Sequence, residues 1–328
     1  MYRLLAELID TYALYQLHSK KSTDGHFSNT GFSPALRELN QFYFQPQIPK
    51  LSFECIRDSG KYKTGSFKYK SEIENDKCNE YATGIYYENK LEAPKRLSVV
   101  LVHGWRQDLE RIKAIYLKPF IDSGYDMYFI TLPYHMDRQA NNSLYNGEFM
   151  ISANVERTLS SIRQSVVDLR ALISWLKNNR RDRVVLIGIS LGGLIVNLTS
   201  TVDGNMDGII SVFPPNALSY IIWNCIPGKH IKKDFEQNAF TYDQLKECWA
   251  MTNASNFETK LTKEKMLILS ALYDKYIDLK DTDKLWETWG RPERRLYRCG
   301  HAGIALCRTS ILNDSLEFIK GNVLEEVQ

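Results

Sequence analysis

The sequence predicts an α/β fold with a mostly parallel sheet, and three observations lead to this prediction. From residue 97 onward, short apolar runs typical of buried strands alternate with segments of helical periodicity. Strands and helices that alternate in this way pair in parallel through crossover connections. One of these strands, residues 183–187, runs directly into a glycine-flanked serine and then into an apolar helix. Residues 51–88, rich in tyrosine, phenylalanine and lysine with glycine breaks, predict two or three antiparallel strands at one edge of the sheet.

The order of the elements predicts a main domain that is preceded by an extension. Residues 1–50 begin with apolar side chains that recur at helical spacing over residues 4–12, and we interpret them as an N-terminal helical extension. Residues 51–328 form the main domain. Within it, residues 216–262 are helical but out of phase with the alternation, which is typical of an inserted lid. We expect the extension to pack against the main domain, and a homodimer through the N-terminal helices is the alternative.

Composition and charge argue against several classes of protein. The 328 residues have a net charge of +3, with basic and acidic residues interspersed, so we expect no binding to nucleic acid. No apolar run approaches the length of a transmembrane segment. The six cysteines have no paired spacing, which indicates free thiols in a reducing compartment and predicts a cytoplasmic protein. Ligand spacings typical of zinc and nucleotide-binding glycine motifs are absent from the sequence, and we expect neither a metal nor a cofactor.

The segment Gly188-Ile189-Ser190-Leu191-Gly192 predicts a nucleophilic serine. After a strand, the Gly-x-Ser-x-Gly pattern places the serine on a sharp strand-to-helix turn with its hydroxyl exposed. Both glycines are expected because the chain passes close to itself at such a turn. A glycine-rich turn with a helix-capping serine is the alternative interpretation. The strand before the motif and the apolar helix after it favour the nucleophile.

A serine hydroxyl becomes a useful nucleophile only beside a base, and the base needs a group that orients it. His301 follows a predicted strand at residues 294–299, in a loop that can reach over the sheet. Asp274 follows another predicted strand, so the chain order is Ser190, Asp274, His301. Alone, Asp274 could cap a turn and His301 could be a core histidine. Their order, with each residue just after its own strand, favours a site for acyl transfer.

Two backbone N–H groups are expected to stabilise the oxyanion that forms during the attack. Leu191 begins the helix after the serine, where the helix dipole favours negative charge. The second donor is expected in the loop after the strand at residues 97–103. There Gly104 permits the turn and Trp105 supplies the N–H group. His103, just before this turn, is expected to fix the loop by hydrogen bonds rather than to act in catalysis.

His135 and Arg138 are candidates for substrate binding on the same rim of the sheet. Both lie in the loop after the predicted strand at residues 126–132. Arg138 could bind a carboxylate or phosphate through a bidentate contact. The alternative is an ion pair with Asp137, Glu148 or another carboxylate of the loop. In the same way, the aromatic residues of the predicted lid could line an acyl pocket or could only pack the lid onto the main domain.

Together these motifs resemble the α/β-hydrolase superfamily from about residue 97 to residue 319. The resemblance rests on His103-Gly104, the glycine-flanked Ser190, Asp274, and Gly300-His301. A closer resemblance, to the branch around abhydrolase domain-containing protein 18 and its bacterial relatives, rests on Pro133 to Arg138, Gly147-Glu148, Arg163-Gln164, and Trp289 to Pro292. The superfamily implies an α/β-hydrolase fold and a serine-hydrolase site, whereas the branch implies little about the substrate.

The sequence therefore predicts a serine hydrolase of the esterase or lipase type, which cleaves a carboxylic ester or thioester of a small-molecule or lipid-like substrate. Ser190 attacks the acyl carbon, His301 takes the serine proton, and Asp274 orients the imidazole. The same residues would also support a peptide or amide hydrolase. A noncatalytic binding protein with the α/β-hydrolase fold is the alternative from a different class.

Overall fold

The fold is built on one mixed β-sheet. The computed structural model describes residues 2–19, 27–30, 38–90, 96–180 and 183–325. The strands in these ranges are β1 (Ser52–Asp58), β2 (Tyr62–Lys70), β3 (Tyr81–Asn89), β4 (Leu97–Val102), β5 (Asp126–Ile130), β6 (Arg183–Ile189), β7 (Gly208–Val212), β8 (Met266–Ala271) and β9 (Glu293–Tyr297). The α-helices are α1 (Tyr2–Ser19), α2 (Leu39–Phe42), α3 (Glu110–Asp122), α4 (Val155–Trp175), α5 (Leu191–Val202), α6 (Leu218–Asn224), α7 (Lys229–Gln237), α8 (Tyr242–Cys248), α9 (Leu279–Thr288) and α10 (Arg308–Phe318).

The strands lie in the order β1-β2-β3-β5-β4-β6-β7-β8-β9. The pairs from β1 to β5 are antiparallel, and every neighbouring pair from β5 to β9 is parallel. This topology confirms the predicted α/β fold with an antiparallel N-terminal edge. Three strands form that edge. Because the carboxyl ends of β4, β6, β8 and β9 meet at one rim, the loops that follow these strands can build a common site.

Alternate residues of the central strands face two separate hydrophobic cores. In β4, Val100 and Val102 belong to the core under α4 and α5, whereas Val99 and Leu101 belong to the core under α3 and α10. All six residues of β4 are buried. A strand covered on both faces needs apolar side chains on both faces, which explains why every residue of β4 except Ser98 is apolar.

The segment between β7 and β8 contains α6, α7 and α8 and coincides with the predicted lid insertion, residues 216–262. Its largest aromatic side chains pack onto the main body. Phe235 and Trp249 are fully buried, and the Trp249 indole N–H donates to the Val155 carbonyl at 3.1 Å. The rings of Phe235 and Trp249 therefore attach the insertion to the body. The boundaries between extension, main domain and lid stay predictions.

Helix α1 buries only a narrow stripe of its surface. Its buried residues are Ala6, Asp10 and Leu14, whereas Leu8 and Tyr12 are more than half exposed. The homodimer through the N-terminal helices stays a prediction. None of the helices in the described ranges combines the length and the apolar character needed to cross a membrane.

Candidate active site

Ser190 is the single residue between strand β6 and helix α5. Its backbone has φ 55° and ψ −117°, a conformation that L residues rarely adopt and that is associated with strained functional positions. A side chain on Gly188 would come within 2.2 Å of the Gly192 carbonyl oxygen. A side chain on Gly192 would come within 2.2 Å of the Val102 carbonyl oxygen. The close approach of these backbone segments therefore requires glycine on both sides of the serine.

The structure brings Ser190, Asp274 and His301 into one hydrogen-bonded chain. Ser190 Oγ lies 2.9 Å from His301 Nε2, and His301 Nδ1 lies 2.8 Å from Asp274 Oδ2. The second carboxylate oxygen of Asp274 accepts from the backbone N–H groups of Tyr276 and Ile277 at 2.8 and 2.9 Å. Since a carboxylate only accepts, Nδ1 must carry the imidazole proton. Nε2 is then free to accept the proton of the serine hydroxyl.

The imidazole and its carboxylate partner are shielded, while the serine is half-buried. The side chains of His301 and Asp274 are 6% and 5% exposed. The Tyr276 ring stacks on the imidazole at 4.7 Å between centroids, with 18° between the planes. Sequence reasoning did not identify Tyr276, because one aromatic residue near an acid has no distinguishing pattern. Stacking on one side and the carboxylate at Nδ1 leave the imidazole little freedom to turn.

A cavity of about 510 Å³ opens onto Ser190 and His301. Its apolar wall comes from helices α1 and α6 and the segments beside them, through Ala13, Leu17, Pro215, Leu218, Ile221, Ile222 and Pro227. Arg106 and Arg111 also line it. Among the described residues, no acidic side chain lines this cavity, and no cluster of three or more histidine, cysteine or acidic residues could bind a metal ion. Apolar surface beside a nucleophile suits an organic substrate.

The two expected oxyanion donors, Trp105 and Leu191, line the same cavity. Leu191 is the first residue of α5, so its N–H group has no acceptor within the helix. In the part of the chain that the structure describes, the Trp105 backbone N–H also has no hydrogen-bond partner. The Trp105 indole N–H donates to the Gly147 carbonyl at 2.8 Å, which fixes the loop. Both backbone N–H groups are thus available to a ligand oxygen.

His103 holds the base of this loop from within the core. It is fully buried, and its Nδ1 lies 2.9 Å from the Gly104 carbonyl oxygen. Its Nε2 accepts from the backbone N–H of Leu132 at 3.1 Å. Both ring nitrogens are therefore used by the backbone, as expected for a residue that fixes the loop. Burial lowers the pKa of His103 from 6.5 to about 4, because the charged imidazolium cannot be solvated there.

This buried imidazole predicts a loss of stability on acidification. Between pH 6.5 and about 4, the imidazole of His103 is protonated in the unfolded chain but neutral in the folded protein. The contribution of neutral His103 to the free energy of unfolding is therefore fully present above pH 6.5 and is lost as the pH falls through about 4. The pKa difference corresponds to on the order of 3 kcal/mol. Urea unfolding at several pH values should show the free energy of unfolding falling more steeply in the wild-type protein than in a His103→Gln variant.

Comparison of the two slopes is needed because other buried groups titrate in the same range. Burial raises the pKa of Asp281 to about 6, which gives the opposite sign between pH 4 and 6. Asp281 is present in both proteins, so its effect on the pH dependence cancels when the two slopes are compared. Equal slopes in the wild-type protein and the His103→Gln variant would show that His103 does not resist protonation.

His135 and Arg138 do not line the cavity but lie in the core beneath its rim. Arg138 is 1% exposed, and its guanidinium donates to the Thr131 carbonyl at 2.8 Å and to Asp168 Oδ2 at 3.1 Å. His135 is fully buried and accepts from the Arg106 backbone N–H at 3.0 Å. The structure therefore does not support a substrate-binding role for these two residues. The carboxylate partner lies on helix α4, not in the loop of Arg138 as the alternative expected.

Solved structures with the same fold include two hydrolases of known type. The acetyl xylan esterase from Paenibacillus sp. R4 superposes with a TM-score of 0.66 at 16% sequence identity, over 94% of this chain and 99% of the esterase. The acylaminoacyl peptidase of Pyrococcus horikoshii superposes with a TM-score of 0.59 at 14% identity, over 82% of this chain and 43% of the peptidase. Similarity at these identities establishes the α/β-hydrolase fold.

Sequence relatives identify the family. No protein-family model matches the sequence. The uncharacterized protein Rv2627c of Mycobacterium tuberculosis is 24% identical over 183 residues, which are 55% of this chain and 43% of the relative, so the match spans less than half of that protein. The uncharacterized protein YdjC of Bacillus subtilis is 52% identical over 112 residues, which are 34% of this chain and 97% of the relative. Because this relative is matched over nearly its whole length, the chain belongs to the family of the Bacillus subtilis protein YdjC.

Proposed function

We propose that the protein is a serine hydrolase that cleaves a carboxylic ester or thioester through an acyl-enzyme intermediate. The observation that supports this most directly is the hydrogen-bonded chain from Ser190 through His301 to Asp274, with contacts of 2.9 and 2.8 Å, at the mouth of an apolar cavity. A strained serine that faces a cavity and touches an oriented imidazole is the arrangement that nucleophilic catalysis needs.

In the proposed mechanism, Ser190 Oγ attacks the acyl carbon while His301 Nε2 takes the hydroxyl proton. Asp274 holds the proton on Nδ1 and stabilises the imidazolium that forms. The backbone N–H groups of Trp105 and Leu191 donate to the oxyanion of the tetrahedral intermediate. The imidazolium then gives its proton to the leaving alkoxide or thiolate, and water hydrolyses the acyl-serine by the same steps. This route requires no cofactor.

The apolar wall favours a small-molecule or lipid-like acyl group as the substrate. We further propose that the protein is related to the branch around abhydrolase domain-containing protein 18 and that its location is cytoplasmic. The latter is supported by six cysteines that are all free thiols in the structure, which is typical of a reducing compartment.

A fluorophosphonate probe tests the proposal. Such probes phosphonylate a serine only when a base activates it, so the wild-type protein should gain one adduct, located on Ser190 by peptide mass spectrometry. The Ser190→Ala variant should gain none. Ser143 provides a matched control, because its hydroxyl donates to the Ala140 carbonyl and the residue does not line the cavity. The Ser143→Ala variant should react like the wild-type protein.

A panel of esters, thioesters and amides of increasing acyl length then separates the remaining possibilities. Hydrolysis of esters and thioesters well above that of the matched amides supports the proposal. Faster cleavage of the amides would favour a peptide or amide hydrolase. If neither labelling nor turnover occurs, the proposed activity is wrong, and a noncatalytic binding protein is favoured.

A further inference from the structure

A buried carboxylate of helix α1 connects the two loops that contain Asp274 and His301. Asp10 is fully buried, although it lies on a helix whose opposite side is exposed. Its Oδ2 accepts from the backbone N–H groups of His301 at 2.9 Å and Lys275 at 3.0 Å. Its Oδ1 accepts from the backbone N–H of Ala302 at 2.8 Å. One side chain thus accepts three hydrogen bonds from two loops that are 25 residues or more apart in sequence.

We propose that Asp10 is a positioning residue that sets the distance between Asp274 and His301, and that helix α1 is part of the active-site architecture. The inference rests on the proposed function, since it assigns a residue that supports the same hydrolytic site. Asp10 does not contact the reacting atoms. It acts through the backbone of the residue next to the acid and through the backbone of the base itself.

The hydrogen bonds to Asp10 constrain the relative position of the two loops. A single oxygen, Oδ2, accepts from both loops, so the N–H groups of Lys275 and His301 must converge on one point. One of these N–H groups belongs to the base itself, and the other belongs to the residue after Asp274. A carboxylate without solvent is costly to bury unless several donors satisfy it. Hydrogen bonds from backbone N–H groups to an ionised carboxylate are also stronger than those between neutral groups.

The same helix also contacts the loop that contains the expected oxyanion donor. The Arg106 guanidinium, next to Trp105, donates to the Leu17 carbonyl at 2.8 Å. The Lys275 ammonium lies 3.3 Å from the Thr11 hydroxyl oxygen, a second contact between α1 and the acid loop. Helix α1 therefore contacts the loops that contain Asp274, His301 and Trp105. Asp10 and Thr11 make the contacts to the first two loops, and Leu17, about two turns later, makes the contact to the third.

Gly300 shows how tightly the carboxylate fits. A methyl group on Gly300 would lie 2.6 Å from the carboxyl carbon of Asp10 and from both of its oxygens. Such a distance is well inside van der Waals contact. Gly300 precedes His301, so a side chain there would push the histidine loop and helix α1 apart. The absence of a side chain on Gly300 thus leaves the space that the carboxylate of Asp10 occupies.

Two substitutions of Asp10 test the inference. Asp10→Ala removes all three acceptors, and a displacement of the imidazole by about 1 Å should lower kcat about 100-fold. Asp10→Asn keeps an oxygen that can still bridge the two loops but turns an NH₂ group toward the Ala302 N–H. We expect its kcat to fall about 10-fold. Since the cavity wall is unchanged in both variants, KM for a short ester should change less than about threefold.

Leu14→Ala is the matched control for loss of helix docking. Leu14 is buried on the same face of α1, one turn further on, and does not bond to either loop. Its truncation should lower the thermal midpoint as much as the Asp10 variants do, but leave kcat and the rate of fluorophosphonate labelling within about twofold of wild type. Leu14→Ala weakens the packing of the helix but keeps the carboxylate of Asp10, so a loss of kcat at constant KM is expected in the Asp10 variants alone.

Two outcomes would overturn the inference. One is wild-type kcat and labelling rate in folded Asp10→Asn and Asp10→Ala proteins. The other is an equal loss of kcat in Leu14→Ala, which would assign the effect to helix docking. Either result leaves the proposed function intact as long as the wild-type protein is labelled on Ser190. Failure of the proposed function is recognised separately, by absence of labelling in the wild-type protein.

A double-mutant cycle with Gly300 gives an independent readout. Gly300→Ala alone should lower kcat about as much as Asp10→Ala, because the new methyl group displaces the carboxylate. In the Asp10→Ala background the same methyl group has room, so it should cause little further loss. Strong non-additivity of this kind is expected for residues in direct contact. Additive effects in the double variant would contradict the proposed contact.

Discussion

The Ser190→Ala variant is expected to have a kcat about 10⁴- to 10⁶-fold lower than that of the wild-type protein, toward any ester that the wild-type protein hydrolyses. The alanine has no oxygen to attack the acyl carbon, so no acyl-enzyme can form. What remains is the stabilisation of a water attack by the backbone donors at Trp105 and Leu191. A continuous assay with a chromogenic ester, run with an active-site titration of the wild-type protein, measures the loss.

The fold should tolerate this substitution. The Ser190 hydroxyl is half-buried, and its hydrogen bond is made to His301 alone among the described side chains. Alanine has the same Cβ, so the backbone strain at φ 55° is unchanged. Circular dichroism and the thermal midpoint should therefore match those of the wild-type protein. Retention of wild-type turnover in a folded Ser190→Ala protein would remove Ser190 from the mechanism.

The Asp274→Asn variant is expected to lose about 10³- to 10⁴-fold of kcat although its shape is nearly unchanged. An amide oxygen in the place of Oδ1 can still accept from the N–H groups of Tyr276 and Ile277. The amide NH₂ then faces His301 Nδ1 and donates to it. This places the imidazole proton on Nε2, where it opposes the proton of Ser190. Steady-state kinetics on the same ester measure the effect.

Asp278→Asn is the matched control for this substitution. Asp278 lies four residues later in the same loop and caps helix α9, where its side chain accepts from the Lys280 backbone N–H at 3.0 Å. It makes no contact with His301. An asparagine caps a helix about as well as an aspartate, so turnover should stay close to wild type. Equal losses in the two variants would indicate a general effect of charge in this loop and not control of the imidazole tautomer.

Much of the fold could be predicted because the central strands are simple in composition. β4, β6 and β8 are buried on both faces and consist mostly of apolar residues, so the sequence shows them as nearly continuous apolar runs. The antiparallel edge was visible through its aromatic residues and its glycine breaks. The sequence does not define the helix boundaries as closely, since fraying and capping depend on tertiary contacts. In the extension, the structure describes a second short helix at Leu39–Phe42, and residues 31–37 before it lie outside the described ranges.

The order of Ser190, Asp274 and His301 along the chain could be read because each of them directly follows a strand. Asp10 could not, since it is 291 residues from His301 and an aspartate on an amphipathic helix is ordinarily a solvated residue. The sequence places Arg138 in the loop after β5 but does not show that its side chain is buried. Its partner, Asp168, lies on a helix that reaches the loop only through the tertiary fold. Long-range pairing of buried polar groups leaves no local pattern in a sequence.

The buried pair of Arg138 and Asp168 has a consequence for any effort to change the substrate range. Substitutions in this rim loop risk leaving a charge in the core without its partner, at about 3–5 kcal/mol. In helix α6, by contrast, the cavity is lined by the apolar residues Leu218, Ile221 and Ile222, and swaps among apolar residues usually cost less than about 1.5 kcal/mol. Mutant libraries aimed at new acyl groups should therefore randomise helix α6 and keep the loop that contains Arg138 constant.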